Sequence, residues 1–590
     1  MDVIGRPPAG CPNRRVPLAA SGLAAVCVAG LLASTSGLLP MTWDEGAVIA
    51  RSEPLWSWVI RACNDRGAGD VWTADQIQKH WQFTTQIEGH PALAGLVIGC
   101  GTWLSDPDWP ALQRARFGPS LLFAVAVGTA MYRLWLSYGP GIALAGLMGL
   151  VTIPRLFAHA HIAGIDGPLT GCWLLCWSTF DWARRSRMGW VVWSVLVGAV
   201  LSCKFTGWLV VLPYLAWSIL SRRSISWRRW VVGLLIATAM FVNFNPPLWH
   251  DPLTGSIRFL ALNLLERAER GFNIPTLFLG EVYTLDRPLP WYNALFWIAA
   301  VMPCGTLAAA LYGGWLAWRD RMVHPDGLLL LLQGIVLPLV RSTPWAPPHD
   351  AERLMLPSFA FLGLLSGIGL VSFVRRVGRA TTTACRRCGS SLNPCGPLWI
   401  TVVLIGVWVG GLVSNLVWYC PCWLSHHSLL VGGLSGAANL GLEPTYYWDA
   451  MQPRVWYWLR THTGKDQWAY VARYPADNLA LQRRWQVNDC RIRMHGPETC
   501  RWYVLQNRPG MFDAVERQMV AECTPYYRLN LGPPGCGWGP WRIDVPLVLV
   551  FSRAQFMGVL RRHVGRRHVG PPTIAACRSQ NELREAQRQL

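Results

Sequence analysis

The sequence predicts a mainly α fold: a polytopic membrane helix bundle of about eleven transmembrane helices followed by a small extracytoplasmic α/β or β domain at the C-terminus. Three observations predict it. The 590 residues are 52% hydrophobic and only 15% charged, with a mean hydropathy of +0.24, more apolar side chain than a water-facing globule needs for its core. Apolar runs of near-spanning length recur up to about residue 419, with arginines clustered at their ends. Beyond that point the chain turns polar, and strand-like stretches alternate with Pro and Gly.

The bundle is read first. Apolar runs lie near residues 16–39, 117–137, 140–157, 167–182, 190–203, 205–221, 229–244, 290–318, 327–341, 354–374 and 398–419. Several are shorter than the roughly 20 residues that cross a bilayer. The first follows Arg6, Arg14 and Arg15 in the manner of a signal peptide, but its length and the many later runs mark a retained anchor behind a cytoplasmic N-terminus, residues 1–15. Arginine clusters then set the sidedness. Arg184, Arg185 and Arg187 precede one short run, and Arg222, Arg223, Arg228 and Arg229 follow the next. If both clusters are cytoplasmic, two crossings separate them, with Lys204 at the outer turn. The same rule puts Arg319 and Arg321, then Arg375, Arg376, Arg379, Arg386 and Arg387, inside. It leaves the loop 40–116, the segment 154–167, the Lys204 turn, the loop 245–288 and the stretch 342–353 outside. The domain 16–419 is therefore the membrane unit. The formal charge of +20 belongs to these clusters, which argues against nucleic-acid binding. With no Walker loop, dinucleotide glycine motif or HExxH motif in the sequence, an ATP-driven pump is disfavoured.

The last run exports the C-terminal part. Residues 420–550 carry the strand-like runs WAYVARY, RWYVLQN and RIDVPLVLV. Seven cysteines follow residue 419, an odd number whose connectivity is not readable. Residues 551–590 are basic and interrupted by Pro and Gly, the composition of a disordered tail that touches anionic headgroups.

The residues able to carry chemistry collect on the outer segments. Met41-Thr42-Trp43-Asp44-Glu45-Gly46 follows the first span directly. Adjacent carboxylates at a membrane boundary are costly to desolvate, and this is the depth at which a base or metal ligand for a lipid-linked substrate would sit. An ordinary helix N-terminus would satisfy the same pattern. Further on stand Glu88 and His90, in Ile87-Glu88-Gly89-His90-Pro91, and then His159, His161 and Asp166, ahead of another span. Asp44, Glu88 and Asp166, each at a membrane boundary, form a carboxylate set suited to general-base work or to a divalent cation, and His159 and His161 could join a metal site. Lys204 and Arg353 are cations at the depth of a lipid phosphate, where headgroup snorkelling is the alternative.

Taken in order, these motifs resemble the GT-C glycosyltransferases, most of all family 39, the protein O-mannosyltransferases, and the related aminoarabinose transferases of lipid A. The motifs are Asp-Glu after the first span, Glu88 before Pro-Ala-Leu, Asp166 before Pro-Leu, the Lys204 turn and Arg353-x-x-x-Pro357. The likeness covers about residues 16–376, and less strongly the region of Tyr446-Tyr447-Trp448-Asp449. It implies a hexosyl-, mannosyl- or aminoarabinosyl-type transfer from a polyprenyl-phosphate (dolichyl-phosphate-like) sugar donor to an acceptor hydroxyl on a protein, lipid or glycan. Transfer would take place on the outer face of a cell membrane, a bacterial inner membrane by expectation, and with inversion. In that picture Asp44 is the catalytic base, Glu45 supports it, and Asp166 assists as a metal or acceptor ligand. Glu88 is a metal or substrate ligand, Lys204 and Arg353 hold the carrier phosphate, and His90 stands where some members have Lys-Pro. Members of this class differ in needing a metal, so Mg, Mn or Zn is an option and not a requirement. Two other readings remain: a transporter or flippase for lipid-linked sugars, and a non-catalytic membrane assembly protein.

Overall fold

Helix dominates wherever apolar residues run without polar alternation, and the breaks fall at prolines and glycines. The computed structural model describes residues 14–64, 69–83, 89–266, 273–387, 395–487, 490–531 and 544–567. Among the described residues four helices are long and apolar enough to cross a membrane: Arg15–Thr35, Ala111–Tyr138, the stretch Arg353–Thr383 and Thr401–Trp418. A bent pair, Pro140–Val151 and Pro154–His161, meets the same test of length and apolarity only when its two helices are taken together, and the chain is a multi-pass membrane protein. The 74° bend has a local cause, because Pro154 forces the preceding Ile153 into extended backbone and starts a new helix. Of the other expected spans, 167–182 is the 20-residue helix Asp166–Arg185, and several of the rest are shorter helices, such as Arg187–Leu201 and Phe205–Leu220. The single span expected over 290–318 is two helices, Asn293–Val301 and Cys304–Arg319, because Met302 before Pro303 is again extended.

The two short runs around Lys204 form a hairpin. Gly207 lies against Val200, and Tyr214 packs edge-on against Trp193 at 5.1 Å, so contacts move outward in step from a turn at Cys203–Lys204. The bundle interior is closed by small residues. A side chain at Gly369 would lie 1.9 Å from the Ala309 carbonyl, and one at Gly367 would lie 2.4 Å from the Gly146 amide. Helices Leu356–Arg387, Cys304–Arg319 and Pro140–Val151 therefore pack nearly backbone to backbone, as helices do where no water drives them together.

The hairpin β1 (Thr276–Phe278) and β2 (Glu281–Tyr283) turns through Leu279 and Gly280, both at positive φ, and the Gly280 amide donates to the Gly441 carbonyl. The C-terminal part holds a five-stranded sheet in the order β4-β3-β5-β7-β6, with β3 Ala469–Val471, β4 Ile492–Arg493, β5 Trp502–Gln506, β6 Tyr527–Asn530 and β7 Pro546–Ser552. β3 runs parallel to β4 and β5, whereas β7 is antiparallel to β5 and β6. The three strand-like runs read from the sequence become β3, β5 and β7. Val504, Val548 and Val550 join the main core on one face, and Tyr503, Leu505, Leu549 and Phe551 form a second cluster on the other. Burial on both faces is why β7 reads as an unbroken apolar run. The expected tail at 551–590 is corrected at its start. Residues Arg553–Arg567 form a helix whose Phe556 stacks on Tyr503 at 4.8 Å and whose Val559 is buried, so the domain closes with this helix. Residues 568–590 lie outside the described residues. Cys420, Cys422, Cys500 and Cys523 are free thiols, and Cys536 and Cys577 lie outside the described residues.

Candidate active site

The chain leaves the first helix at Thr35, crosses over Leu38–Thr42 and enters the helix Glu45–Asn64. At this corner the two adjacent carboxylates part company. Glu45 turns inward and is fully buried, its two oxygens meeting Arg116 Nε and Nη2 at 2.7 Å each. Arg116 spends its remaining donors on the carbonyls of Ser36, Leu39 and Pro40. The Ala163 amide also donates to Glu45, at 3.0 Å. Glu45 therefore ties together the first helix, the helix Ala111–Tyr138 and the segment before Asp166. The supporting chemical role expected for it is corrected to a structural one, because its lone pairs are taken.

Asp44 turns the other way, with 40% of its side chain exposed, and lines a small open cleft. Thr42, Trp43, His159, Ile162, Gly164, Ile165, Asp166, Gly167, Arg353 and Tyr447 complete the lining. Arg353 is the hub. Its Nη1 pairs with Asp44, its Nε donates to Asp166 Oδ2 at 2.6 Å, and Asp350 stands 3.4 Å from Nη1. Lys204, at the hairpin turn, donates to the other Asp166 oxygen at 2.7 Å. Asp166 is the first residue of the helix Asp166–Arg185, where a carboxylate also suits the helix dipole. Four of the residues singled out in the sequence, Asp44, Asp166, Lys204 and Arg353, thus meet in one constellation of alternating charge.

The loop carrying Arg353 is shaped by Asp350 and Ala351, both at positive φ, an unfavourable conformation for residues with a side chain. Tyr447 holds it by donating its hydroxyl to the Asp350 carbonyl at 2.8 Å, with Arg353 lying over its ring at 6.0 Å. Burial would raise the Asp350 carboxyl, yet the Arg353 guanidinium, with His349 and Lys204, holds it down at about 2. Next to it, Glu352 pairs with Arg155 at 2.6 Å, both fully buried, and Arg155 Nε donates to the His426 carbonyl at 2.8 Å.

The histidines divide. His159 lines the cleft edge-on to Tyr447 at 5.1 Å, and its Nε2 has no hydrogen-bond partner. His161 is corrected away from the site: it contacts Thr35 Oγ1 at 2.8 Å and stacks on Trp423, serving helix packing. His90 is buried ahead of the helix Leu93–Leu104 and is not among the residues lining the cleft. Glu88 lies outside the described residues. Among the described residues no three His, Cys, Asp or Glu side chains gather to hold a metal ion. The donor set also fits one poorly, since Asp166 already faces two cations and Asp44 shares one of them.

Asp350, Tyr447 and Trp43 were not singled out as site residues. Asp350 stands three residues before Arg353, its carboxylate's partner, whereas Tyr447 and Trp43 meet partners from distant segments and leave no local pattern.

Residues 90–250 match the family model described as dolichyl-phosphate-mannose-protein mannosyltransferase. No curated protein sequence matches the chain. Among solved structures, ArnT from Cupriavidus metallidurans in the apo state is 14% identical, with 91% of this chain and 99% of that chain covered and a TM-score of 0.49. The same protein bound to undecaprenyl phosphate is 14% identical over 90% of this chain and 97% of that chain, with a TM-score of 0.46. The oligosaccharyltransferase of Archaeoglobus fulgidus in its apo form is 9% identical over 84% of this chain and 69% of that chain, with a TM-score of 0.42. The chain is a helical multi-pass membrane protein with a small C-terminal sheet domain. The segment matched by the family model holds Asp166 and Lys204.

Proposed function

We propose that this protein transfers a sugar from a polyprenyl-phosphate donor to an acceptor hydroxyl on the outer face of the membrane, with inversion at the anomeric carbon. The observation that carries the reading is the cleft in which Arg353 bridges Asp44 and Asp166 while Lys204 takes the second Asp166 oxygen. Two cations held at a helix end are a receptor for a phosphate, and the family model matched over 90–250 is named for a lipid-phosphate sugar donor. The donor phosphate would compete with Asp44 for Arg353 and free that carboxylate. Asp44 then takes the proton of the acceptor hydroxyl as its oxygen attacks the anomeric carbon. The bond from that carbon to the phosphate oxygen breaks, and polyprenyl phosphate leaves with the electron pair, stabilised by Lys204 and Arg353. One displacement gives inversion. Trp43 and Tyr447 offer faces on which a sugar ring can pack.

Sidedness rests on the helix Asp166–Arg185. Its 20 residues span about 30 Å, the depth of a bilayer's apolar core, with Asp166 at the cleft and Arg184 and Arg185 at the far end. Arg229 donates there to the Arg184 carbonyl, and Arg133 pairs with Asp326 at 2.6 Å, so the basic clusters converge at the end expected in the cytoplasm. This supports a reading in which the cleft faces outward from a bacterial inner membrane. No step is routed through a metal, and transfer should continue in EDTA.

The test is an in vitro assay with purified protein, polyprenyl-phosphate hexoses and envelope acceptors, comparing wild type with Asp44→Asn. Loss of at least about 100-fold in kcat with donor binding retained is expected. Equal product from both proteins would remove Asp44 from the mechanism, and the absence of transfer from every lipid donor would sink the reading itself.

A further inference from the structure

The corner that carries Asp44 is not held by the membrane bundle alone. Asn478 stands on the helix Ala476–Arg484, between β3 and β4 of the C-terminal domain, and its side chain is buried against the corner that carries Asp44. Its Oδ1 accepts from the Gly46 amide at 2.9 Å, and its Nδ2 donates to the Thr42 carbonyl at 2.8 Å. These two bonds straddle Asp44, reaching two residues to either side of it, and use both ends of one amide. The approach is close: a side chain at Gly46 would lie 2.2 Å from Asn478 Oδ1 and 2.7 Å from the Asn478 backbone nitrogen. The same domain adds the Tyr447 carbonyl, which accepts from the Trp43 amide at 3.0 Å, and the Trp448 ring, 5.2 Å from that of Trp43. Arg484, farther along the helix, pairs with Glu53.

Glu45 and Arg116 anchor this corner from the membrane side, but they hold the residue after Asp44 and face away from the cleft. The backbone on either side of Asp44 is held by the C-terminal domain. We propose that Asn478 is a positioning residue for Asp44, and that the C-terminal domain is thereby part of the transfer site, setting the direction in which the Asp44 carboxylate faces Arg353 and the acceptor. The inference rests on Asp44 being the base.

Three full-length variants test it: Asn478→Ala, Asn478→Asp, which keeps the acceptor oxygen for Gly46 and loses the donor to Thr42, and Arg484→Ala, which loosens the same helix without touching the Asp44 corner. Asn478→Ala should lower kcat by roughly 10- to 100-fold with the donor KM within about 2-fold of wild type, since the phosphate cations are untouched. Asn478→Asp should fall between, and Arg484→Ala should stay within about 2-fold on both. Independently of turnover, labelling of Asp44 by a water-soluble carbodiimide, read by peptide mass spectrometry, should be several-fold faster in Asn478→Ala than in Arg484→Ala. Wild-type kcat and wild-type labelling in Asn478→Ala would overturn the proposal. So would a parallel fall of kcat and thermal stability in Asn478→Ala and Arg484→Ala, which marks a docking contact only. If the wild type transfers nothing from any donor, the transferase reading fails by that result, and the labelling still decides whether Asn478 sets Asp44.

Discussion

A buried carboxylate loses its compensation when its one guanidinium is removed, and Glu45 with Arg116 is such a pair, both side chains at 0% exposure. Arg116→Met should cost on the order of 3–5 kcal/mol, seen as a lower melting temperature in detergent. Adding Glu45→Gln should recover much of that loss, because an uncharged amide needs no counter-ion. A rate effect without a melting shift would return Glu45 to the chemistry. Glu443 is a second buried acid of a different kind. Burial pushes its carboxyl up to about 7 although Arg508 stands 3.9 Å away and opposes the shift. Its neutral form is therefore the one the fold prefers. The stability it contributes is whole below the ordinary glutamate value and is lost as pH rises through about 7. Thermal melts of the wild type should show that decline between pH 5 and pH 8, and Glu443→Gln should flatten it. An unchanged pH slope in that variant would assign the decline to another group.

Among the elements, the closing helix Arg553–Arg567 is the one whose removal says most. Phe556 and Val559 cover the Tyr503, Leu549 and Phe551 face of the sheet, a face that would otherwise meet water. A chain ending after Arg567 should keep wild-type protease resistance in its C-terminal domain, whereas one ending after Ser552 should be cut readily within β5 to β7. Equal resistance would show that the helix is an appendage. The composition of 551–590 resembles a tail because nine of the fifteen residues of this helix are Arg, Gln, Gly or His, and only its few apolar positions reveal a partner. The hairpin at Lys204 is the converse. Two runs too short to span alone read as separate crossings because arginines flank both, and the Val200–Gly207 and Trp193–Tyr214 contacts show the reversal. The break at Met302–Pro303 was legible as a proline but hidden inside an otherwise continuous apolar run.

For the whole molecule, sidedness is the property on which the proposed reaction depends. Trp345 is 88% exposed on the loop leading to Arg353, and Met322 is 50% exposed beside Arg319 and Arg321 at the other end. In intact cells, Trp345→Cys should react with a membrane-impermeant maleimide, and Met322→Cys should react only after permeabilisation. The opposite pattern would place the cleft in the cytoplasm. The membrane bundle and the C-terminal domain meet at the cleft, so the loops that carry Asp44 and Arg353 are held from both sides, through Asn478 and Tyr447 on one and Glu45 and Arg155 on the other.

The sequence by itself determined that apolar runs would become membrane helices, that arginines would mark one end of them, and that Asp44, Asp166, Lys204 and Arg353 would sit at the other. Hydropathy and charge act on each segment locally, whatever its neighbours, so these features are written in composition and order. Only the tertiary structure decided which of two adjacent carboxylates faces the cleft, that Arg353 bridges Asp44 and Asp166, that His161 serves packing, and that Asn478 reaches the Asp44 corner from more than 430 residues away. Those outcomes depend on which distant donor meets which acceptor. Such a pairing has no sequence period, because its energy arises only when the two segments are brought together and water is excluded from between them.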